Sequence, residues 1–153
     1  MIFGVSPTRD AVVVAQSTGS GETFVITSIT SIPFQARSGA DLTGLLRELV
    51  ALFESPGKRR RSTIALLGSS SGRFKSSIEA IKAEAITEVA AAESGVPVVS
   101  VTTASLKRIL GCAPGQKWQA RAGERFNPTG RHDWSKGAAG AAAAAFEVAG
   151  KTP

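Results

Sequence analysis

The sequence predicts an α/β fold with a five-stranded mixed sheet: a three-stranded antiparallel meander plus two parallel strands, with helices on both faces. Three observations carry this prediction. Three β-rich runs open the chain, with short turn segments between them. The apolar period then lengthens to that of a helix. From there strands and helices alternate, which is the pattern of parallel pairing. The 153 residues, 42% of them hydrophobic, suffice for one buried core, so a single domain over residues 1–153 is expected.

The elements follow in order. "MIFGV" and "DAVVVAQ" are β-branched runs separated by "SPTR", and "TFVITSIT" follows the "TGSGE" turn. In "GADLTGLLRELVALFES", Leu42, Leu45, Leu46, Leu49, Val50 and Phe53 share one helical face; Asp41 is the expected N-cap and "SPG" the stop. "TIALL" is a buried strand. "SSIEAIKAEAITEVAAAES" is a long helix, with Ile78, Ile81, Ala85, Val89 and Ala92 as its expected inward stripe. "GVPVVSVTT" adds a strand and "ASLKRIL" a short helix. Residues 111–132 read as a loop anchored by Trp118 and Phe126, and an alanine-rich helix is expected to begin near Asp133.

Composition narrows the function. Cys112 is the single cysteine, and no Cys/His cluster has metal-ligand spacing, so a structural zinc site is not expected. No apolar run approaches the ~18 residues that span a bilayer, and the first residues lack a signal-peptide pattern; the expectation is a cytoplasmic protein without membrane contact. Eighteen basic against 12 acidic residues give a net charge of +6, which favours phosphate-rich partners such as DNA or RNA.

Several segments resemble a known family. "IFGVSP" resembles the first-strand motif of the RuvC-type Holliday-junction resolvases, a branch of the ribonuclease H-like superfamily, in which an aspartate stands where this chain has Ser6. "IKAEAITEVAAAESGVPVVSVTTASLKRIL" resembles their central helix, next strand and following short helix, and "HDWSKGAAGAAAAAF" their final helix. "GRFKSSIEAIKAEA" is similar to a signature of a group of short bacterial proteins of this branch, with Phe74, Lys82, Glu84 and Ala85 as the matching residues. The resemblance covers the whole chain in order, and it implies a ribonuclease H-like fold.

It also implies a place for metal chemistry. Nucleases of this superfamily hold two Mg²⁺ or Mn²⁺ ions about 4 Å apart, which requires several converging carboxylates. The matching positions here are Ser6 on the first strand, Leu66 or Leu67 at the end of the fourth, Asp133 at the final helix and Lys136 one turn later. One carboxylate beside a lysine does not hold two dications against their hydration. The resemblance therefore implies a degraded metal site, no cofactor and no assigned catalytic residue. A nuclease with a rebuilt Mg²⁺ or Mn²⁺ ligand set is the enzyme alternative. For such a set Asp10 would need a different strand register, and Glu79 and Glu84 lie on different helix faces.

The basic residues are the candidates for binding. Lys58, Arg59, Arg60 and Arg61 form a run that reads as a phosphate contact or as a solvated loop. "GSSSGRFK", with Arg73 and Lys75, reads as a phosphate cradle or as helix capping by Ser76, Ser77 or a preceding serine. Lys117, Arg121, Arg125 and Arg131 are interleaved with Trp118, Phe126 and Trp134, a mixture that suits single-stranded nucleic acid, a protein interface or internal packing. His132 beside Asp133 lacks a nucleophile and reads as a surface or capping residue. The expected function is a non-catalytic member that binds nucleic acid or a protein partner through its basic surface; a structural or assembly role, including a homodimer, is the third class.

Overall fold

The computed structural model of the chain describes residues 1–57, 61–68 and 77–151. Its sheet has five strands in the order β3-β2-β1-β4-β5. These are β1 (Ile2–Pro7), β2 (Ala11–Thr18), β3 (Val25–Pro33), β4 (Thr63–Leu67) and β5 (Val98–Val101). The first three form the antiparallel meander, while β4 pairs parallel to both β1 and β5. Thr8 closes the β1–β2 turn: its main-chain N–H and its hydroxyl both donate to the Ala11 carbonyl. That turn sets the register, with Ser6 opposite Val13 and Gly4 opposite Ala15.

Strand alternation divides the core in two. Phe3, Val5, Val12, Val14, Ile64 and Leu66 point to one side of the sheet, where α1 (Gly39–Glu54) and α2 (Ile78–Ser94) pack. On α1 the inward residues are Leu45, Leu49 and Phe53, with Leu42, Leu46 and Val50 flanking them, as the helical period predicts. The Phe3 and Phe53 rings meet edge to face at 5.3 Å. Ile2, Gly4, Ser6, Ala65 and Leu67 point to the other side, which is covered by α3 (Thr103–Ile109), α4 (Trp118–Phe126) and α5 (Ala138–Lys151).

Four expectations are corrected. The N-cap of α1 is Ser38, and Asp41 is the third helical residue of a capping box, its carboxylate accepting from the Ser38 N–H at 3.2 Å. On α2 the buried residues are Ala80, Ala83, Thr87, Ala90 and Ala91; the expected stripe faces outward, with Ile78 68%, Ile81 50% and Val89 44% exposed. Small side chains let α2 lie close against its neighbours, and Thr87 satisfies its hydroxyl on the Ala83 carbonyl at 2.8 Å.

The remaining two corrections concern the other face. Within the expected loop, residues Trp118–Phe126 form α4, because Trp118, Ala122 and Phe126 recur every four residues and turn toward the core. Finally, α5 begins at Ala138 rather than near Asp133: the Ser135 carbonyl accepts from the Ala138 N–H, and Gly137 turns the chain at φ +99°.

Candidate functional site

The place where the resemblance expects metal ligands lies between the ends of β1 and β4 and the inner side of α5. Ser6 is buried there. Leu67 points to the same side, whereas Leu66 belongs to the opposite core. The helical residue brought onto this pair is Gly140: a Cβ at that position would sit 2.7 Å from Leu67 Cδ2 and 3.0 Å from Ser6 Oγ. One turn earlier, a Cβ on Gly137 would meet Thr8 and Val13 at 2.9 Å. Asp133 and Lys136 are both exposed in the segment that precedes α5.

This closeness has a sequence cause. From Ala138 to Ala145 every side chain of α5 is a methyl group or a hydrogen, and β1 presents Gly4 beneath it. Helix backbone therefore lies almost directly on strand backbone, and it fills the volume in which ligand side chains would meet. The donor set confirms the misfit: one hydroxyl, an isobutyl group and a glycine offer no carboxylate to a hard dication. Among the described residues, no three His, Cys, Asp or Glu side chains come together in a way that could hold a metal ion.

Carboxylates do occur nearby, in other arrangements. Half-buried Glu84 on α2 reaches the end of β4, its Oε1 lying 3.6 Å from where a Cβ on Gly68 would be. Asp10 and Glu79 line a cleft of about 210 Å³ together with Arg9 and Arg37. Two guanidinium groups beside two carboxylates balance charge within that cleft, which leaves no net attraction for a dication. Glu147 on α5 is a buried acid that sequence reading missed. It accepts from the buried Ser105 hydroxyl of α3 and from Lys151 Nζ at 2.9 Å, while its Oε2 is buried without a hydrogen-bond partner among the described residues.

The basic candidates separate into distinct groups. Lys58, Arg59, Arg60, Arg73 and Lys75 lie outside the described residues, as does Phe74. Arg61 is exposed and lines a cleft of about 870 Å³ at the start of β1 and β4. Two expected phosphate contacts are engaged in the fold. Arg121 Nε donates to the Leu110 carbonyl at 3.2 Å, and the Arg125 guanidinium lies 4.5 Å over the Phe146 ring. Arg131 is exposed, and Lys82 is exposed with Nζ 3.4 Å from the Ala36 carbonyl. The main chain of His132 is clasped by the Asn127 amide, which both donates to it and accepts from it.

Lys117 and Trp118 meet Lys107, ten residues earlier, around a cleft of about 600 Å³ between α3 and α4. Gln116, Gln119 and Cys112 also line it, and no acidic residue does among the described residues. Trp118 rests partly on the core and turns the remainder of its indole to the cleft. Sequence reading passed over Lys107 because "ASLKRIL" alone reads as an ordinary short helix. Its convergence with Lys117 depends on the left-handed turn at Gly111 (φ +65°) and on the Arg121 contact that folds α4 back onto α3.

The fold has solved counterparts. The chain is similar to Thermus thermophilus RuvC in complex with Holliday junction substrate, with a TM-score of 0.73 and 15% identity over 95% of this chain and 90% of that one. A second structure, of Thermus thermophilus RuvC, gives a TM-score of 0.74 and 15% identity over 95% of this chain and 91% of that one. No protein-family model matches the sequence, and no curated protein matches it. At this identity the likeness establishes the fold, which is ribonuclease H-like and structurally close to RuvC.

Proposed function

We propose that this ribonuclease H-like, RuvC-like domain is a non-catalytic module that binds nucleic acid through its basic surface. The observation that carries the reading is the apposition of Gly140 to Ser6 and Leu67. It supplies neither carboxylates nor room for the ions that phosphodiester cleavage on this fold employs.

Binding is supported by different features. The chain carries a net charge of +6. The α3–α4 cleft combines Lys107 and Lys117 with the half-buried indole of Trp118, and no carboxylate lines it among the described residues. Lysines there neutralise phosphates without reading sequence, and an aromatic face accepts any base. A similar structure is that of a RuvC bound to a Holliday junction substrate, which makes branched DNA the first ligand to try.

The test is fluorescence anisotropy with labelled four-way junction, duplex and single-stranded oligonucleotides over a salt series, beside a cleavage gel with Mg²⁺ or Mn²⁺. Binding that weakens steeply with salt, without cleavage, is the expected result. Metal-dependent cleavage would overturn the non-catalytic reading, and salt-independent binding or none would overturn the nucleic-acid reading. Calorimetric titration of Mn²⁺ should show no saturable pair of sites, with Asp133→Ala indistinguishable from the unaltered protein.

A further inference from the structure

We infer that the free edge of β3 is a self-pairing surface: two copies of the chain join their β3 strands antiparallel about a two-fold axis at Ile29, so that two five-stranded sheets become one continuous sheet. The strand order leaves two outer edges, β5 and β3. β5 has four residues, and a short edge offers little to another chain. β3 has nine, VITSITSIP, and none of them is charged. In a chain with 18 basic and 12 acidic residues, this edge lacks the lysines that ordinarily keep open strands apart.

The register shows which main-chain groups the edge presents. The Phe34 N–H donates to the Asp10 carbonyl at 3.0 Å, which continues the β2–β3 ladder by one hydrogen-bonded pair. Counting from that pair, antiparallel alternation turns Ser28, Thr30 and Ile32 toward β2, and Ile29, Ser31 and Pro33 toward the open edge. Ala11, opposite Pro33, agrees: its carbonyl accepts from Thr8 on the side of β1. Pro33 thus stands where a missing N–H costs the ladder nothing. The N–H and C=O groups of Ile29 and Ser31 have no partner among the described residues. They are about 7 Å apart, the repeat at which an added strand would meet them.

The residues along the edge identify the occupant. Ile29 is the centre of Thr27-Ser28-Ile29-Thr30-Ser31, with hydroxyl residues at equal distances on both sides. An antiparallel copy centred there places Ile29 against Ile29 of the partner subunit, Ser28 against Thr30 of the partner subunit and Thr27 against Ser31 of the partner subunit. The last two contacts occur twice, as an isologous interface requires. β-Branched pairs and hydroxyl pairs are favourable cross-strand neighbours, and no like charges are opposed. Nucleic acid fits this edge poorly, because the strand has no cation to meet a phosphate. The register shift at Gln16/Ser17 and the ring of Pro33 confine pairing to the central residues. Such a contact buries less than the ~1,600 Å² of a standard interface, so a weak, reversible dimer is expected.

This inference does not rest on the nucleic-acid reading, since β3 lines no part of the α3–α4 cleft. Salt separates the two. Copies that each carry a net charge of +6 repel, so added NaCl should strengthen the dimer while it weakens nucleic-acid binding. Sedimentation velocity across a concentration series should show a monomer–dimer equilibrium, and amide exchange at Ile29 and Ser31 should slow as concentration rises. Ser31→Pro should raise the dissociation constant at least ~10-fold, because it deletes an outward donor on both copies. In a Cys112→Ser background, Ser28→Cys combined with Thr30→Cys should form a covalent dimer under mild oxidation, and neither substitution alone should.

A chain that stays monomeric to ~1 mM in high salt would overturn the inference. So would a dimer indifferent to Ser31→Pro, or one in which the Ile29 and Ser31 amides exchange as fast as in the monomer. A synthetic peptide of residues 25–33 should dissociate the dimer. Equal competition by a scrambled peptide would mean that the edge accepts any extended segment, which would overturn self-recognition. Circular dichroism of Ser31→Pro checks that the monomer keeps its fold, as the outward position of Pro33 on the same edge leads one to expect.

Discussion

Gly4 of β1 and Ala141 of α5 lie so close that a Cβ on the glycine would sit 1.8 Å from the alanine's carbonyl oxygen. No rotamer relieves such a clash, since both groups belong to backbone. The contact fixes the spacing between sheet and helix, and with it the shape of the region around Ser6.

Gly4→Ala should therefore cost about 3 kcal/mol or more of folding stability, at the upper end of overpacking effects. Urea denaturation with an unchanged m-value would show it. A loss below about 1 kcal/mol would mean that α5 shifts freely away from β1.

Installing an acid beside Ser6 should not create a nuclease. Gly140→Asp places its Cβ against Leu67 and Ser6 and buries a carboxylate with a single hydroxyl for company. The expected outcome is a destabilisation of about 3 kcal/mol, combining overpacking with an uncompensated charge. No Mg²⁺-dependent cleavage of a junction oligonucleotide should appear.

Ser105→Ala should cost about 2 kcal/mol, because it removes a hydroxyl donor from the buried Glu147 carboxylate and leaves Lys151 as its hydrogen-bond donor. Glu147→Met, which replaces the charge by an apolar chain of similar length, should cost less than Ser105→Ala, or even stabilise. Chemical denaturation of both variants gives the comparison. The reverse ranking would mean that the ion pair with exposed Lys151 holds α5 more strongly than its surface position allows.

Nucleic-acid affinity should depend on the α3–α4 cleft in two separable ways. Lys107→Ala with Lys117→Ala should weaken binding at all sequences and lower the slope of log K against log salt by about 2. Trp118→Ala should cost about 1–3 kcal/mol with single strands and much less with duplex. Anisotropy titrations at several salt concentrations read both. Arg125→Ala, by contrast, should act on stability, since its guanidinium already covers Phe146.

Much of the fold was legible in the sequence, and the exceptions share a cause. The succession of strands and helices along the chain and the inward side of α1 followed from apolar period. On α2 the same reasoning chose the larger residues as core, while close packing chose Ala83, Ala90 and Ala91. Helix α4 was hidden by flanking Pro114 and Pro128 and by Gly123, a weak helix former that packs beside the Trp134 indole. Ser6, and Leu66 or Leu67, were identifiable through the resemblance, and strand alternation in the structure selects Leu67 as the one that shares a side with Ser6. Gly140 was not, because it acts through the side chain it lacks. Arg121 and Arg125 looked available in sequence, and their engagement with Leu110 and Phe146 depends on tertiary contacts alone.

The small residues of β1 and α5 also bear on how this protein can change. To gain a metal-binding cluster between β1 and α5, the chain would need carboxylates at several positions there and a wider gap between strand and helix. Each single step toward it, at Ser6, Leu67 or Gly140, adds bulk or charge to a filled space before any ion can repay the loss. Evolution by single substitutions thus faces a valley rather than a slope, and the backbone spacing acts as a ratchet that keeps strand and helix in their present packing.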